Sequence, residues 1–224
     1  NLELVDVEAI KAADFRVAFD AVNSVVGSVL PELLHALGVN ELFKLHCAPH
    51  GKFSHNPESL PENLTEMSRL MKEAKADVGF VVDPDVYRLA LVCENGEMFG
   101  EEYTLVAVAD YVLSLKRGNT VSNLSSSRAL RDVTEKYGGK YFASAVGEVN
   151  VVAVMKEQNA VIGGEGNGGI IMPDLHYGRD SLIGIALFLS HLAKKNKKVS
   201  ELRAEYPPYF ISKNKLELAQ DTNM

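Results

Sequence analysis

The sequence has only two cysteines, Cys47 and Cys93, and they lie far apart in separate apolar stretches. They form no C-x-x-C pair, so the cysteines offer none of the spacings that hold a metal ion. Buried free thiols are the simplest interpretation. Free thiols persist in a reducing compartment, and we therefore expect a cytoplasmic protein.

Long apolar runs and an excess of positive charge are also missing. No run approaches the roughly 18 apolar residues of a membrane-spanning helix, and no signal peptide precedes the first helical pattern. The net charge is -7, with a pI near 5.4. This charge argues against nucleic acid as a partner, because phosphate backbones require clustered basic side chains. The basic cluster that follows the last long helical pattern is typical of a solvated helix end; its members are Lys194, Lys195, Lys197 and Lys198.

The chain does contain a repeated order of elements. Its 224 residues allow one large domain or two small ones. The order strand-helix-strand-helix-strand-loop-strand-helix occurs twice, which predicts two tandem three-layer α/β domains with mixed, mostly parallel sheets. We place the first unit at 1–100, the second at 101–205, and a linker or tail at 206–224. The first residue is asparagine rather than methionine, as expected for a piece of a longer protein, although a processed terminus would look the same.

The first unusual loop follows the third predicted strand of the first half and reads DPDVYR over residues 83–88. Asp83 and Asp85 are carboxylates at alternate positions, and carboxylate oxygens suit Mg²⁺. Arg88 can oppose a phosphate with two hydrogen bonds. The alternative is an exposed Asp-Pro turn with an unrelated arginine, because a D-x-D pattern alone is not specific.

The second unusual loop follows the third predicted strand of the second half and reads GGEGNGG over residues 163–169. Glycines let a backbone approach a ligand closely, and Glu165 and Asn167 supply polar groups for sugar hydroxyls. A flexible hairpin turn is the alternative. The spacing also fits G-x-G-x-x-G, but a strand-like segment follows where a dinucleotide site requires a helix, so we reject that interpretation. Both loops leave the carboxyl ends of strands, where open α/β sheets bind their ligands.

Together the two loops resemble the α-D-phosphohexomutase superfamily, which includes phosphomannomutase, phosphoglucomutase and phosphoglucosamine mutase. The family's second domain carries a D-x-D-x-D-R metal loop, and its third domain carries a sugar-recognition loop that begins G-E. The resemblance covers roughly residues 10–205 and includes the segments Phe53–Leu64, Thr120–Ser127 and Ala143–Val152.

The resemblance implies a four-domain enzyme that interconverts hexose 1-phosphate and 6-phosphate through a bisphosphorylated sugar. It implies Mg²⁺ at Asp83 and Asp85, a catalytic Arg88, and sugar recognition by Glu165 and Asn167. It also implies a phosphoserine in a first domain and a phosphate-binding loop in a fourth domain, neither of which is visible in this sequence. This chain alone is therefore expected to be inactive, and its partners are a hexose phosphate and the two missing domains.

Three departures from the family pattern stand out. Tyr87 occupies the position of the third metal aspartate, and a phenol is a poor Mg²⁺ ligand near neutral pH. Asn167-Gly168-Gly169 ends the sugar loop where many members have a serine and a histidine, which leaves the sugar preference open. Ser54-His55-Asn56-Pro57 copies the catalytic serine motif but lies in the second-domain-like half, so we do not expect Ser54 to be the nucleophile.

Two other classes of function remain open on the sequence. Tyr87 suits a non-catalytic module that binds sugar phosphates, and the fold alone suits an interaction protein. Near the last long helix, Asp180 or Ser181 is expected to be the N-cap. Arg179 is either a phosphate contact or an ordinary surface residue.

Overall fold

The first half of the chain folds around a four-stranded sheet. The structure, a computed structural model, describes residues 4–56 and 64–211. The sheet has the order β2-β1-β3-β4, in which β1 pairs in parallel with β2 and β3, and β4 pairs antiparallel with β3. Its strands are β1 (Arg16–Asp20), β2 (Glu41–Leu45), β3 (Val78–Val82) and β4 (Leu89–Cys93).

The second half repeats this arrangement. Its sheet has the order β6-β5-β7-β8, again with two parallel pairs and an antiparallel edge strand. The strands are β5 (Asn119–Asn123), β6 (Tyr141–Ser144), β7 (Ala160–Glu165) and β8 (Gly169–Ile171). The predicted fold class, two tandem α/β units with mixed and mostly parallel sheets, is confirmed.

Eight helices are present in the described residues, and their sequences show why they form. In α3, the buried Met67 and Met71 lie four residues apart on one face, as an amphipathic helix requires. The Asp180 carboxylate caps α7 by accepting hydrogen bonds from Leu182 N at 2.8 Å and Ile183 N at 3.1 Å, which confirms Asp180 as the N-cap. The helices are α1 (Val7–Ala13), α2 (Val26–Ala36), α3 (Thr65–Ala74), α4 (Glu101–Leu115), α5 (Ala129–Lys136), α6 (Glu148–Glu157), α7 (Ser181–Lys195) and α8 (Val199–Arg203).

The two halves share one hydrophobic core. Helix α7, from the second half, packs against α1 and α4 and also contacts β4 of the first sheet. Its Phe188 ring makes edge contacts with Phe80 at 6.4 Å and Phe99 at 5.5 Å between ring centroids. Tyr206, the first residue that we assigned to the tail, is also buried in this core. The two halves therefore meet through buried apolar surface.

The glycine-rich loop is shorter than the sequence predicted. Strand β7 continues through Gly163 and Gly164 to Glu165, and β8 begins at Gly169, so the turn itself is limited to residues 166–168. Gly163 lies in the strand through its pairing with β5 and β8, and the position requires glycine because a Cβ there would lie 2.5 Å from Met155 Sδ and 2.8 Å from the Val121 carbonyl oxygen. Among the described residues, no helix combines the length and apolar character that a bilayer crossing requires.

Candidate functional site

The two loops singled out from the sequence contact each other. We call residues 83–88 the acidic loop and residues 163–169 the glycine loop. The Leu89 amide, directly after the acidic loop, donates a hydrogen bond to the Gly168 carbonyl at 3.1 Å. Arg88 and Gly169 also form an isolated antiparallel bridge. The β3–β4 connection and the β7–β8 turn, which belong to different sheets, therefore meet at one edge of the molecule.

Gly168 makes this close approach possible. Its φ is +86°, and a Cβ at this position would lie 2.3 Å from the Leu89 carbonyl oxygen. Any larger residue would face both an unfavourable left-handed backbone and a clash with another backbone atom. Gly168 thus allows the two halves to approach each other closely.

Asp83 organises the acidic loop from within. Its side chain is buried, and Oδ1 accepts hydrogen bonds from the amides of Tyr87 at 2.8 Å and Arg88 at 3.0 Å. Val86 adopts φ 63°, which is uncommon for a β-branched residue, and its carbonyl accepts a hydrogen bond from Ser181 N at 2.9 Å. The loop is therefore held in a strained shape by its own aspartate and by the start of α7.

Two carboxylates of the acidic loop can contribute to a cation site. Asp85 is exposed, whereas Asp83 commits Oδ1 to the loop and leaves Oδ2 for other partners. Within the described ranges, neither belongs to a group of three or more side chains that could hold a metal ion. Such a pair fits Mg²⁺ only where phosphate or water oxygens complete the shell, which is the usual mode for this ion.

The Tyr87 side chain stacks against Arg179 and supplies no carboxylate to a metal ion. Its ring is 43% exposed and lies under the Arg179 guanidinium, with 5.0 Å between Cζ and the ring centroid. Stacking of this kind adds roughly 0.5–1 kcal/mol at exposed sites. Position 87 thus contributes a second contact between the halves instead of a third carboxylate.

Arg88 is the cation of the acidic loop. Its side chain is 40% exposed, and its Nε lies 3.9 Å from Asp83 Oδ2, too far for a hydrogen bond. This loose ion pair leaves the guanidinium accessible to an anionic ligand at the edge where the two loops meet. A phosphate is the natural counterpart, since the planar guanidinium fork can bind two of its oxygens.

Glu165 is the acid of the glycine loop, and it is buried. Its side chain is 6% exposed; Oε1 accepts a hydrogen bond from Asn123 Nδ2 at 2.8 Å, and Oε2 accepts one from Arg179 Nη1 at 2.8 Å. Asn123 ends β5, the parallel neighbour of β7, so both residues lie at the carboxyl edge of the second sheet. A carboxylate has about four acceptor positions, so Glu165 retains capacity for ligand hydroxyls.

Asn167 lies at the tip of the turn and is half-buried. Its Oδ1 accepts a hydrogen bond from Gly169 N at 3.2 Å, which closes the turn. The amide group remains as a donor for a ligand oxygen. The structure thus places all five predicted residues in the two touching loops, where Asp85 is the exposed member.

Arg179 is a central residue of the site, although the sequence did not distinguish it from an ordinary surface arginine. Its Nε donates to Glu148 Oε2 at 2.6 Å and its Nη1 to Glu165 Oε2 at 2.8 Å, while its guanidinium covers Tyr87. One arginine therefore joins both loops and the start of α6. The sequence showed only that Arg179 precedes the N-cap of the last long helix. It did not predict that this side chain would contact Glu148, Glu165 and Tyr87.

Ser54 and the two cysteines are not activated as nucleophiles. His55, next to Ser54, directs Nε2 to Asp20 Oδ2 at 3.1 Å and Nδ1 to the Asn56 carbonyl at 2.8 Å, so neither ring nitrogen serves Ser54. Both cysteines are free. Burial raises the pKa of the Cys47 thiol to about 11 and that of Cys93 to about 12, which keeps both protonated at neutral pH.

Comparison with known proteins places this geometry in a family. The description "Phosphoglucomutase/phosphomannomutase, alpha/beta/alpha domain II" matches residues 1–96, and the corresponding domain III description matches residues 100–209. The phosphoglucomutase/phosphomannomutase of Thermococcus kodakarensis is 36% identical over 219 residues, which are 97% of this chain and 48% of that protein. The probable phosphoglucosamine mutase of Methanopyrus kandleri is 32% identical over 96% of this chain and 48% of its own length. The chain thus spans about half the length of these relatives.

Solved structures agree with these relatives. A phosphoglucomutase/phosphomannomutase family protein from Burkholderia thailandensis matches with a TM-score of 0.78 and 30% identity, over 90% of this chain and 46% of that one. N-acetylphosphoglucosamine mutase of Aspergillus fumigatus, solved with GlcNAc-6P and magnesium, shares the fold at 15% identity, with a TM-score of 0.66 over 90% of this chain and 49% of that one. The chain belongs to the α-D-phosphohexomutase superfamily and carries its domains II and III.

Proposed function

We propose that this chain is the central part of a cytoplasmic phosphohexomutase that interconverts hexose 1-phosphate and hexose 6-phosphate. The observation that carries the proposal is the contact between the loops, in which Leu89 N binds the Gly168 carbonyl. This contact brings an arginine and two aspartates to the same edge as an enclosed glutamate. An edge of this kind can hold the phosphate and the hydroxyls of one ligand at the same time.

The proposed cycle begins outside this chain, with a phosphoserine that donates its phosphoryl group to a sugar monophosphate. The resulting bisphosphorylated sugar reverses its orientation and returns its other phosphate to the serine, which leaves the isomeric product. Phosphoryl transfer depends mainly on positioning and on neutralisation of charge. The residues of the two loops supply these two contributions.

Asp83 and Asp85 are the residues that would hold Mg²⁺, together with phosphate oxygens from the missing first domain. When bound, the ion supplies positive charge beside the transferred phosphoryl group. Asp83 is already fixed by the amides of Tyr87 and Arg88, so its Oδ2 needs little reorganisation to bind. The magnesium found with the Aspergillus fumigatus enzyme supports the choice of ion.

Arg88 neutralises the charge that develops on the transferred group. Preorganised positive charge of this kind is among the largest contributions to catalysis. The weak pairing of Arg88 with Asp83 suits this role, since Nε lies 3.9 Å from the carboxylate and little interaction is lost when a phosphate binds.

Glu165 and Asn167 hold sugar hydroxyls in both orientations of the intermediate. Glu165 is fixed by Asn123 and Arg179, which leaves its carboxylate oriented before the ligand arrives. A rigid acceptor can bind a sugar in two orientations only if each orientation places a hydroxyl at the same point. A hexose that carries a phosphate at each end meets this condition. Relatives named for glucose, mannose and glucosamine phosphates leave the preferred sugar open.

A second candidate, a non-catalytic module that binds sugar phosphates, is favoured by Tyr87. Its stacking on Arg179 takes the place of a third carboxylate beside the cation site. Under this alternative the loops bind a phosphorylated sugar without turning it over.

The experiment is an assay of the full-length protein that contains this chain, on glucose, mannose and glucosamine phosphates with Mg²⁺. We expect interconversion of at least one sugar. Glu165→Gln should lower kcat/KM by roughly 10- to 100-fold, the value of a hydrogen bond to a charged group. Glu157→Gln, on an exposed residue of α6, is the matched control. Absence of interconversion for every sugar rejects the catalytic proposal, and retained binding would then favour the module.

A further inference from the structure

A second group of polar side chains lies at the carboxyl edge of the first sheet. Asp20 ends β1 and is 1% exposed, His46 directly follows β2, and His55 lies in the loop that follows. Asp20 Oδ2 lies 3.0 Å from His46 Nδ1 and 3.1 Å from His55 Nε2. The three atoms all lie within 4.8 Å of one another. None of these residues belongs to the acidic loop or the glycine loop.

The hydrogen bonds of the two imidazole rings do not balance if both rings are neutral. His46 faces Asp20 through Nδ1 and Glu66 Oε2 through Nε2, the latter at 3.3 Å. His55 faces Asp20 through Nε2 and the Asn56 carbonyl through Nδ1 at 2.8 Å. Each of the four nitrogens thus lies within 3.3 Å of an acceptor oxygen, the contact of His46 with Glu66 being an ion pair, yet a neutral imidazole carries one N–H. Two nitrogen lone pairs are left directed at oxygen.

A cation placed among the three side chains resolves this mismatch. The lone pairs of His46 Nδ1 and His55 Nε2 then point at the ion beside Asp20, and the N–H on each opposite nitrogen donates to Glu66 or to the Asn56 carbonyl. Histidine ligands of metals usually donate their second N–H to a carboxylate or a backbone carbonyl in this way. We propose that Asp20, His46 and His55 form a binding site for a divalent transition-metal ion of the Zn²⁺ class.

The distances suit such an ion. Zn²⁺ binds nitrogen and carboxylate oxygen at about 2.0–2.2 Å in a tetrahedron, which separates neighbouring ligand atoms by about 3.3 Å. The separations of 3.0 and 3.1 Å need only a small expansion. Three protein ligands leave one position open for water or another ligand. Imidazole donors favour zinc and its neighbours over Mg²⁺, which prefers oxygen.

The backbone around this group is held in uncommon conformations. His46 and Val22 both have φ 47°, and Asn23 has φ 54°. Asp20 Oδ1 accepts a hydrogen bond from Val22 N at 2.8 Å, and Asn23 N donates to the His46 carbonyl at 2.7 Å. The segments after β1 and β2 are therefore fixed to each other before any ion binds, and the bound ion would attach the segment around His55 to the same edge.

Metal titration of the chain, free of affinity tags and treated with a chelator, tests the proposal. We expect one equivalent of Zn²⁺ to bind by calorimetry, and Co²⁺ in its place to give the visible absorption of a tetrahedral or five-coordinate ion. His46→Gln and His55→Gln should each abolish the Co²⁺ spectrum. His35→Gln, on a helical histidine bonded to the Val39 carbonyl, is the matched control and should preserve it.

Glu66→Gln separates a metal site from a general effect on folding. Glu66 is 57% exposed and, in the part of the chain that the structure describes, pairs with the second nitrogen of His46, so the variant should fold while Zn²⁺ affinity falls by roughly 10-fold or more. Circular dichroism and thermal unfolding verify the fold of every variant. Failure of the wild-type chain to bind Zn²⁺, unchanged binding in the His46→Gln and His55→Gln variants, or equal competition by Mg²⁺ overturns the proposal.

Discussion

The Leu89 amide donates a hydrogen bond to the Gly168 carbonyl at 3.1 Å, although Leu89 begins a strand of the first sheet and Gly168 lies in a turn of the second. This bond lies where the acidic loop ends and the glycine loop turns back. The Val86 carbonyl adds a second link, to Ser181 N at 2.9 Å. The two loops are therefore parts of one surface, and changes in either should be felt in the other.

Gly168→Ala should be much more destabilising than an ordinary glycine substitution. The left-handed backbone alone costs an L-residue about 1–2 kcal/mol, and the added Cβ would lie 2.3 Å from the Leu89 carbonyl oxygen. With the cost of overpacking included, we expect the free energy of unfolding to fall by about 3 kcal/mol. Urea denaturation of the chain measures this change.

Gly138→Ala is the matched control for that substitution. Gly138 also has a positive φ, +77°, but no atom lies within 4 Å of its added Cβ. Its loss should therefore be limited to the backbone term of about 1–2 kcal/mol. Equal losses in the two variants would show that the contact between the loops is not tight in solution.

Tyr87→Asp should strengthen the binding of Mg²⁺ to the acidic loop. The change adds a carboxylate near Asp83 and Asp85, and oxygen ligands are those that Mg²⁺ prefers. We expect the dissociation constant to fall by about tenfold, which corresponds to about 1.4 kcal/mol. Calorimetric titration of the chain with Mg²⁺ measures it.

Tyr87→Ala distinguishes the new ligand from the lost stacking. This variant also removes the ring beneath Arg179 but supplies no oxygen. Its Mg²⁺ affinity should match that of the wild type. If both variants bind alike, the acidic loop does not coordinate the ion through position 87.

Asp110 is the centre of a buried charged network between the helices. Burial opposes its ionisation, but hydrogen bonds and charge from His191 and Lys136 outweigh that effect and hold the pKa of Asp110 well below its usual range. Oδ1 accepts hydrogen bonds from Lys136 at 3.1 Å and Tyr137 at 2.9 Å, and Oδ2 accepts one from Tyr206 at 3.2 Å. The ionised carboxylate therefore stabilises the fold.

Asp110→Asn should lower the free energy of unfolding at pH 7 by about 2 kcal/mol, the value of hydrogen bonds to a charged group. The difference from wild type should shrink as the pH falls below about 4, the pKa of aspartate in an unfolded chain. A lowered folded-state pKa gives stability that is present above this value and lost below it. Urea titrations between pH 7 and pH 3 measure the difference.

The control for Asp110 is Asp174→Asn. Asp174 forms an exposed ion pair with Lys116 at 2.8 Å, and such pairs contribute about 0–1 kcal/mol. Its effect should be small at every pH. A pH-independent loss in Asp110→Asn would mean that packing, rather than charge, is what the aspartate supplies.

The sequence was sufficient to predict the fold and the position of both loops. Continuous apolar runs such as Val78–Val82 mark fully buried strands, and the polar loops after them stand out by contrast. The repeated order of elements then predicted two similar sheets, which the topology confirms. These signals are local, so they can be read one segment at a time.

The partners of the site residues could not be predicted in the same way. Glu165 is bound by Asn123 and Arg179, which are distant in the sequence and are brought near only by strand order and by the course of the chain before α7. Glycine was taken as a sign of a loop, yet Gly163 lies within β7, where its neighbours leave no space for a side chain. Close packing of this kind produces no periodic pattern in the sequence from which it could be predicted.

The group of Asp20, His46 and His55 could not be predicted from the sequence for the same reason. Its members belong to no known spacing motif, and the second histidine lay inside a segment that looked like a serine motif. The usable signal was topological: Asp20 ends one strand and His46 follows its parallel neighbour, so both lie at the edge where ligands bind.

We propose that the acidic loop and the glycine loop bind one ligand together. An NMR titration of the chain with hexose 6-phosphate in the presence of Mg²⁺, which follows the amide signals of Arg88 and Asn167, tests this joint binding. Both signals should move along one binding curve with the same dissociation constant. Signals that titrate with different constants, or movement in one loop alone, would show that the two loops do not bind the same ligand.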